Sequence, residues 1–246
     1  MRKAITFIVV CFSFVSAMYS QDAVPVEMLM RTILINNGTK YGTAFKIDYQ
    51  GRIYLVTAKH MVEGLPITKA KLQMWKENGW QDLPTVRTFF PKSNDVDIAV
   101  LETDEKIAQP YQVTTDDSSG GVTFGQQVWF LGYPFQLMTH FPTGQTIPFM
   151  KRGTLSAIDS RDPNAVVIFI DGFNNEGFSG GPVIYWDLSQ HKYSLLAVVR
   201  GYFADSAMTK INGEEVKSQY LVNSGILYGF STRHIKEAIE SGNQRP

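Results

Sequence analysis

The chain has 246 residues, of which 23 are Lys or Arg and 23 are Asp or Glu, so its formal net charge is zero. A hydrophobic content of 44% can build a core and excludes a disordered chain. The balanced charge argues against nucleic acid as a partner, because no chain-wide basic field exists. The single cysteine, Cys11, excludes an intrachain disulfide and zinc sites built on several cysteines.

The first twenty residues have the features of a secretory signal peptide. Arg2 and Lys3 give a positive start, residues 4–15 form an apolar run, and small residues follow. The run is shorter than the ~20 apolar residues that span a bilayer, so we expect no stable membrane span after signal removal. Cleavage is expected after Ala17 or Ser20, which leaves a cysteine-free chain. A secreted eukaryotic domain usually carries disulfides, so a bacterial protein, secreted or periplasmic, is expected.

Short β-like runs separated by turn signals fill the rest of the chain. The runs are Met30–Ile35, Tyr41–Ile47, Arg52–Thr57, Ala70–Trp75, Thr85–Phe90, Asp97–Glu102, Gln127–Leu131, Gly153–Ile158, Ala165–Ile170, Gly181–Trp186, Ser194–Val199 and Gly225–Phe230. Residues 103–121 are polar and rich in turn formers, which is typical of a connection between two halves. Ile235, Ala238 and Ile239 have helical spacing, which predicts a terminal helix that stops at Gly242. The sequence therefore predicts an all-β protein with a C-terminal helix.

Ser179 lies in a loop that suits a nucleophile. The segment Asn175–Pro182 reads NEGFSGGP, with glycines on both sides of the serine. Glycines permit tight turns and close backbone approach. A nucleophilic serine needs an exposed hydroxyl and nearby free backbone N–H groups that can bind an oxyanion. Taken alone, the string also fits a Gly-Ser loop without chemistry.

The same string satisfies G-x-S-x-G, the nucleophile elbow of α/β-hydrolases. Ser179, Asp205 and His234 would supply the order of serine, acid and histidine in that family. An elbow leads directly into a helix, however, whereas Pro182 and a strand-like run follow this serine. The chain also lacks the alternation of strands and helices that a parallel sheet requires. An esterase of this type is therefore the weaker alternative.

Three segments in the order histidine, aspartate, serine carry a clearer pattern. Residues 54–60 read YLVTAKH and end in His60, and residues 95–101 read DVDIAVL and contain Asp97. Together with the loop of Ser179, these segments resemble the catalytic segments of the trypsin/chymotrypsin family of serine proteases. The strings GTAF at 42–45, GYP at 132–134 and GILYGF at 225–230 are similar to those of bacterial exported Deg/HtrA-type protease domains. No PDZ domain is expected.

This resemblance implies a fold of two antiparallel six-stranded β-barrels with a C-terminal helix. The expected division is a signal peptide at 1–20, an N-terminal barrel at 24–115, a C-terminal barrel at 116–231, and a helix and tail at 232–246. The resemblance implies a serine endopeptidase that acts on protein or peptide substrates through an acyl-enzyme. Neither a cofactor nor a metal is expected, and the sequence gives no oligomeric state.

Roles for individual residues also follow from the resemblance. His60, Asp97 and Ser179 would be catalytic, and the N–H groups of Gly177 and Ser179 would bind the oxyanion. Phe173, six residues before the serine, and the segment 199–201, which reads Val-Arg-Gly, would line the primary specificity pocket.

The chain departs from the family pattern at Phe178, where animal digestive proteases have an aspartate and Deg-type proteases usually have an asparagine. Lys59 is a second departure, because that position is commonly small or Asn. The alternative function is a catalytically idle binding module on the same fold.

Overall fold

The computed structural model describes residues 23–76, 78–104, 111–112, 122–142, 144, 146–211 and 214–243, and it describes no side chains for 111–112, 206–211, 214–220 and 243. The predicted signal peptide and most of the predicted connection at 103–121 lie outside the described residues.

The first half of the chain forms an eight-stranded sheet that follows a short helix, α1 (Val26–Leu29). The strands are β1 (Thr32–Asn36), β2 (Tyr41–Tyr49), β3 (Arg52–Thr57), β4 (Leu72–Lys76), β5 (Gly79–Leu83), β6 (Thr85–Phe89), β7 (Ala99–Thr103) and β8 (Tyr111–Gln112). Their spatial order is β5-β4-β1-β2-β3-β7-β6, all antiparallel, and β8 pairs in parallel with β2. A bridge between Thr68 and Arg87 joins the segment before β4 to β6. The sheet has two more strands than the predicted barrel.

The second half forms a closed six-stranded barrel, as the sequence predicts. Its strands are β9 (Gln127–Gly132), β12 (Phe149–Asp159), β13 (Val167–Asp171), β14 (Pro182–Asp187), β15 (Lys192–Ile211) and β16 (Glu214–Ser231). The order around the barrel is β12-β13-β16-β15-β14-β9. Two short strands, β10 (Thr139–His140) and β11 (Thr146–Ile147), form a separate hairpin between β9 and β12.

One apolar core joins the two halves. It combines buried side chains of the first sheet with those of the barrel, namely Phe45, Val56 and Val100 on one side and Trp129, Leu131, Ile184 and Val198 on the other. In β9 and β14, alternate residues belong to this core and to the interior of the barrel, so both faces of these strands are buried. Because this core is shared, the facing ends of the two halves are held in fixed relation.

The C-terminal helix α2 (Arg233–Asn243) covers this core. Ile235, Ala238 and Ile239 are fully buried in the core, as their helical spacing predicts. The helix continues one residue beyond Gly242, so the predicted stop is wrong. A side chain at Gly242 would lie 2.2 Å from the Phe89 ring, so the glycine permits close packing rather than ending the helix. None of the helices in the described part of the chain is long and apolar enough to cross a membrane.

Most predicted runs match observed strands within two residues, but the longest strands exceed them. β15 and β16 pair from Ala197–Ser231 out to Ile211–Glu214, which makes an extended ribbon beyond the barrel. The sequence does not predict this ribbon, because residues 204–223 are rich in polar types and show no regular apolar alternation. β5 is also missed, since GWQDL has no alternation and lies at the edge of the sheet.

Candidate active site

His60 follows β3 and Asp97 precedes β7, and these two neighbouring strands bring the residues into contact. β3 and β7 are antiparallel, with Thr57 opposite Ala99, so the segment after β3 lies beside the segment before β7. A 3-10 helix over Lys59–Met61 carries His60. The distance from His60 Nδ1 to Asp97 Oδ2 is 2.7 Å, and the His60 backbone N–H donates to Asp97 Oδ1 at 2.9 Å. Asp97 therefore fixes the position of the imidazole through both oxygens.

Asp97 is an ionised carboxylate in this setting. Its side chain is only 11% exposed. Burial acts to raise its pKa, but the hydrogen bonds and charge of His60 and the charge of Arg200 outweigh burial, so the pKa lies below its usual value. Asp95, two residues earlier, is exposed to solvent.

Arg200 connects Asp97 to the serine. Its Nε lies 2.7 Å from Asp97 Oδ2, the same oxygen that contacts His60. Its backbone carbonyl accepts a 3.1 Å hydrogen bond from the Ser179 hydroxyl. The three residues of the sequence prediction are thus linked in one cluster, with Arg200 between Ser179 and Asp97.

Two glycines allow the Ser179 loop to pack against the first sheet. Gly177 and Gly180 have φ of 100° and 83°, a region that favours glycine. A side chain at Gly180 would lie 2.2 Å from the Thr43 carbonyl oxygen and 2.7 Å from the backbone N of Ala58, two residues before His60. The loop therefore lies directly beside the segment that leads to His60.

The backbone N–H groups around Ser179 divide into two sets. Gly180 donates to the Val199 carbonyl at 2.8 Å and Gly181 donates to the Phe178 carbonyl at 2.8 Å. The N–H groups of Gly177 and Ser179 have no acceptor among the described residues. These two are the donors that an oxyanion could use.

Phe178 is fully buried, and its ring packs edge-on against Phe130 with centroids 5.2 Å apart. Lys151 of β12 lies beside it, with Nζ 5.5 Å from the ring centre. The Lys151 ammonium donates to the Phe173 carbonyl at 2.8 Å and to the Asn175 side-chain oxygen. Burial lowers the pKa of Lys151. The loop before Ser179 is thus held by apolar packing and by a lysine that sequence reasoning missed, because nothing in its local string distinguishes it.

The residues predicted to line a specificity pocket differ in exposure. Phe173 is 57% exposed, whereas the Val199 side chain is buried in the barrel core. The Val199 backbone pairs with Gly181, and Gly201 lies opposite Tyr228. The Arg200 guanidinium is directed towards Asp97.

His234, the third member of the α/β-hydrolase alternative, has a structural role. Its ring is fully buried in α2. Its Nε2 accepts the Val166 N–H at 3.0 Å, and its Nδ1 lies 2.8 Å from Glu237 Oε2. A strand, β14, follows Ser179, and the sheets are antiparallel apart from the β2–β8 pair. The fold therefore contradicts the α/β-hydrolase alternative.

The comparisons with known proteins agree with this fold. The active form of the Rv3671c protease from M. tuberculosis has a TM-score of 0.55 and 18% identity, with 88% of this chain and 83% of that chain covered. The inactive form of that protease has a TM-score of 0.55 and 17% identity, with 88% of this chain and 92% of that chain covered. The HtrA-type protease AlgW with a tripeptide has a TM-score of 0.57 and 17% identity, with 88% of this chain and 61% of that chain covered.

At such identities the likeness to these structures establishes the fold. Comparison with the curated proteins found no match. The family model of the trypsin-like peptidase domain matches residues 42–189, more than half of the chain. This match includes His60, Asp97 and Ser179, so the chain belongs to the trypsin-like peptidase domain family of serine proteases.

Proposed function

We propose that this protein is a serine endopeptidase that cleaves peptide bonds with His60, Asp97 and Ser179 as its catalytic residues. The observation that carries the proposal is the 2.7 Å contact between His60 Nδ1 and Asp97 Oδ2, in a cluster that includes the Ser179 loop. In this geometry Nδ1 carries the proton, so Nε2 is the free base.

The proposed reaction has two steps. The Ser179 oxygen attacks the substrate carbonyl while His60 Nε2 takes the hydroxyl proton, and His60 then gives that proton to the leaving amine as the C–N bond breaks. Water attacks the resulting acyl-enzyme, again with His60 as base, and releases Ser179. Asp97 stabilises the imidazolium that forms in both steps. The N–H groups of Gly177 and Ser179 stabilise the oxyanion, and removal of one such donor typically costs about 10²–10³ in rate.

Substrate recognition is proposed to involve Phe173 and the segment 199–201. The exposed Phe173 ring is suited to an apolar side chain before the scissile bond. The Lys151 ammonium lies 5.5 Å from this ring, and a cation there opposes the binding of Lys or Arg.

One observation favours the alternative, an idle binding module on the same fold. The Ser179 hydroxyl donates to the Arg200 carbonyl, so its proton must leave that carbonyl before His60 can accept it. A fluorophosphonate probe separates the two functions, because it labels only an activated serine. We expect labelling of the wild type and none of Ser179→Ala. A folded wild-type protein that is never labelled would establish the idle module.

We further propose that residues 1–20 direct export, to the periplasm or to the medium. Mass spectrometry of the exported protein is expected to find a first residue after Ala17 or after Ser20. An intact N-terminus on the exported protein would contradict this proposal.

A further inference from the structure

Arg200 lies at a break in the pairing of β15 with β16. The register passes from Val199–Gly229 to Gly201–Tyr228, so Arg200 is skipped. Such a β-bulge leaves one residue out of the ladder. Val198 packs in the core shared by the two halves, whereas Val199 packs in the interior of the barrel. Arg200 follows this alternation onto the side of the first sheet, where its guanidinium contacts Asp97.

Asp97 Oδ2 has two cationic partners when His60 is protonated. His60 Nδ1 and Arg200 Nε each lie 2.7 Å from it. The guanidinium is charged at every pH at which proteins are studied. It therefore compensates part of the Asp97 charge before His60 takes up a proton. A cation already present at a carboxylate opposes the formation of a second one beside it.

The other charged groups near this cluster are directed elsewhere. The Lys59 ammonium, next to His60 in the chain, donates to the Asn94 carbonyl at 3.2 Å. The Asp95 side chain is exposed to solvent. Among the described residues, His60 and Arg200 are the charged groups that act on Asp97. Arg200 is therefore the group whose charge can be changed without altering the catalytic residues.

We propose that Arg200 is a positioning residue that extends the active pH range of the protease towards acid, by competing with protonated His60 for Asp97. Its effect on activity rests on the proposed endopeptidase function, whereas its effect on His60 does not. Because Arg200 Nε and His60 Nδ1 share Asp97 Oδ2, the guanidinium charge repels the imidazolium that protonation of His60 would create. The Arg200 carbonyl, which accepts the hydrogen bond from the Ser179 hydroxyl, belongs to the main chain, so substitutions of the Arg200 side chain leave it in place.

The test compares the wild type with Arg200→Gln, Arg200→Lys and Arg161→Gln. Arg161 forms an exposed ion pair with Asp159, so its variant removes an arginine–aspartate pair outside the site. NMR gives the titration midpoint of His60, assigned among the four histidines with His60→Ala. The fluorophosphonate labelling rate over the same pH range gives the acid limb of activity.

In Arg200→Gln we expect both the midpoint and the acid limb to move up by about one pH unit. Arg200→Lys, which keeps the charge, is expected to remain near the wild type, and Arg161→Gln to equal it. If Arg200→Gln does not fold, Arg200→Met keeps the apolar stem and serves in its place. An unchanged His60 midpoint in the folded neutral variant would overturn the proposal, as would equal shifts in the neutral variant and in Arg200→Lys. A wild type that is never labelled would refute the endopeptidase function, and the His60 midpoint would still decide the role of Arg200.

Discussion

The Thr43 hydroxyl donates a 2.7 Å hydrogen bond to the Gly177 carbonyl, although the two residues are 134 positions apart. The same hydroxyl accepts the Tyr133 N–H at 3.2 Å, and the Thr43 N–H donates to the Ser179 carbonyl at 3.0 Å. Thr43 is fully buried in β2. A strand of the first sheet thus holds both residues whose N–H groups we propose as oxyanion donors.

Replacement of Thr43 by valine should disturb the loop of Ser179. Valine keeps the shape but leaves the Gly177 carbonyl and the Tyr133 N–H without a buried partner, which costs about 1–3 kcal/mol of the free energy of unfolding. We expect the labelling rate of Ser179 to fall about 10- to 100-fold, because small misplacements of a catalytic group have effects of this size. Thr43→Ser keeps the hydroxyl and is the control. Wild-type labelling of Thr43→Val would show that these hydrogen bonds do not position the loop.

Lys151 should be needed for activity although it is remote from Ser179 in sequence. Lys151→Met removes the donor to the Phe173 carbonyl and to Asn175 while keeping an apolar stem beside Phe178. We expect kcat to fall at least about tenfold, since the loop loses two charge-assisted hydrogen bonds. Arg152→Met, an exposed neighbour on the same strand, should keep wild-type kcat. Equal kcat in the two variants would contradict the prediction.

Activation should not require a newly cut N-terminal amine. Phe178 occupies the position where a carboxylate would receive such an amine, and it is fully buried. An ammonium buried against Phe178 without a carboxylate would be costly. We expect a protein that starts at residue 21 and the same protein with one extra N-terminal residue to cleave peptides at equal rates. Loss of activity in the folded, extended protein would show that the amine matters.

Cleavage is expected to follow small or medium apolar side chains. The exposed Phe173 ring favours such side chains, and the Lys151 ammonium 5.5 Å away disfavours cations. A peptide library analysed by mass spectrometry measures this preference directly. Phe173→Asp should increase cleavage after Lys and Arg, because it adds a carboxylate where the wild type has none. Efficient cleavage after Lys or Arg by the wild type would refute the expectation.

Asp97 should make the stability of the fold depend on pH in the acid range. Burial acts to raise its pKa, but His60 and Arg200 hold it below its usual value. A carboxyl with a lowered folded pKa stabilises the fold above its unfolded pKa of about 3.9, and this stabilisation is lost as the pH falls through the folded pKa. The difference in the free energy of unfolding between wild type and Asp97→Asn should therefore be largest above about pH 5 and shrink below about pH 4. Urea titrations measure it, with the exposed Asp95→Asn as control. A difference that stays constant down to pH 2 would contradict this assignment.

The sequence by itself determines the class of fold and which residues, His60, Asp97 and Ser179, form the candidate site. Short apolar runs bounded by turn signals predict the strands, because both signals are local properties of the chain. The string GFSGGP and the segments that contain His60 and Asp97 predict the cluster, because these short strings carry the glycines and the side chains that the site brings together. The contact between His60 and Asp97 then follows once β3 and β7 pair.

Only the tertiary structure decides how the cluster is held. Sequence reasoning places Arg200 in a segment that binds substrate and does not predict the contact of its guanidinium with Asp97. Thr43 and Lys151 reach the Ser179 loop from other strands, and neither has a local signal for this role. Bulges and contacts between distant segments depend on strand register and on the packing of one half against the other. These are properties of the assembled sheets, which a local string does not contain.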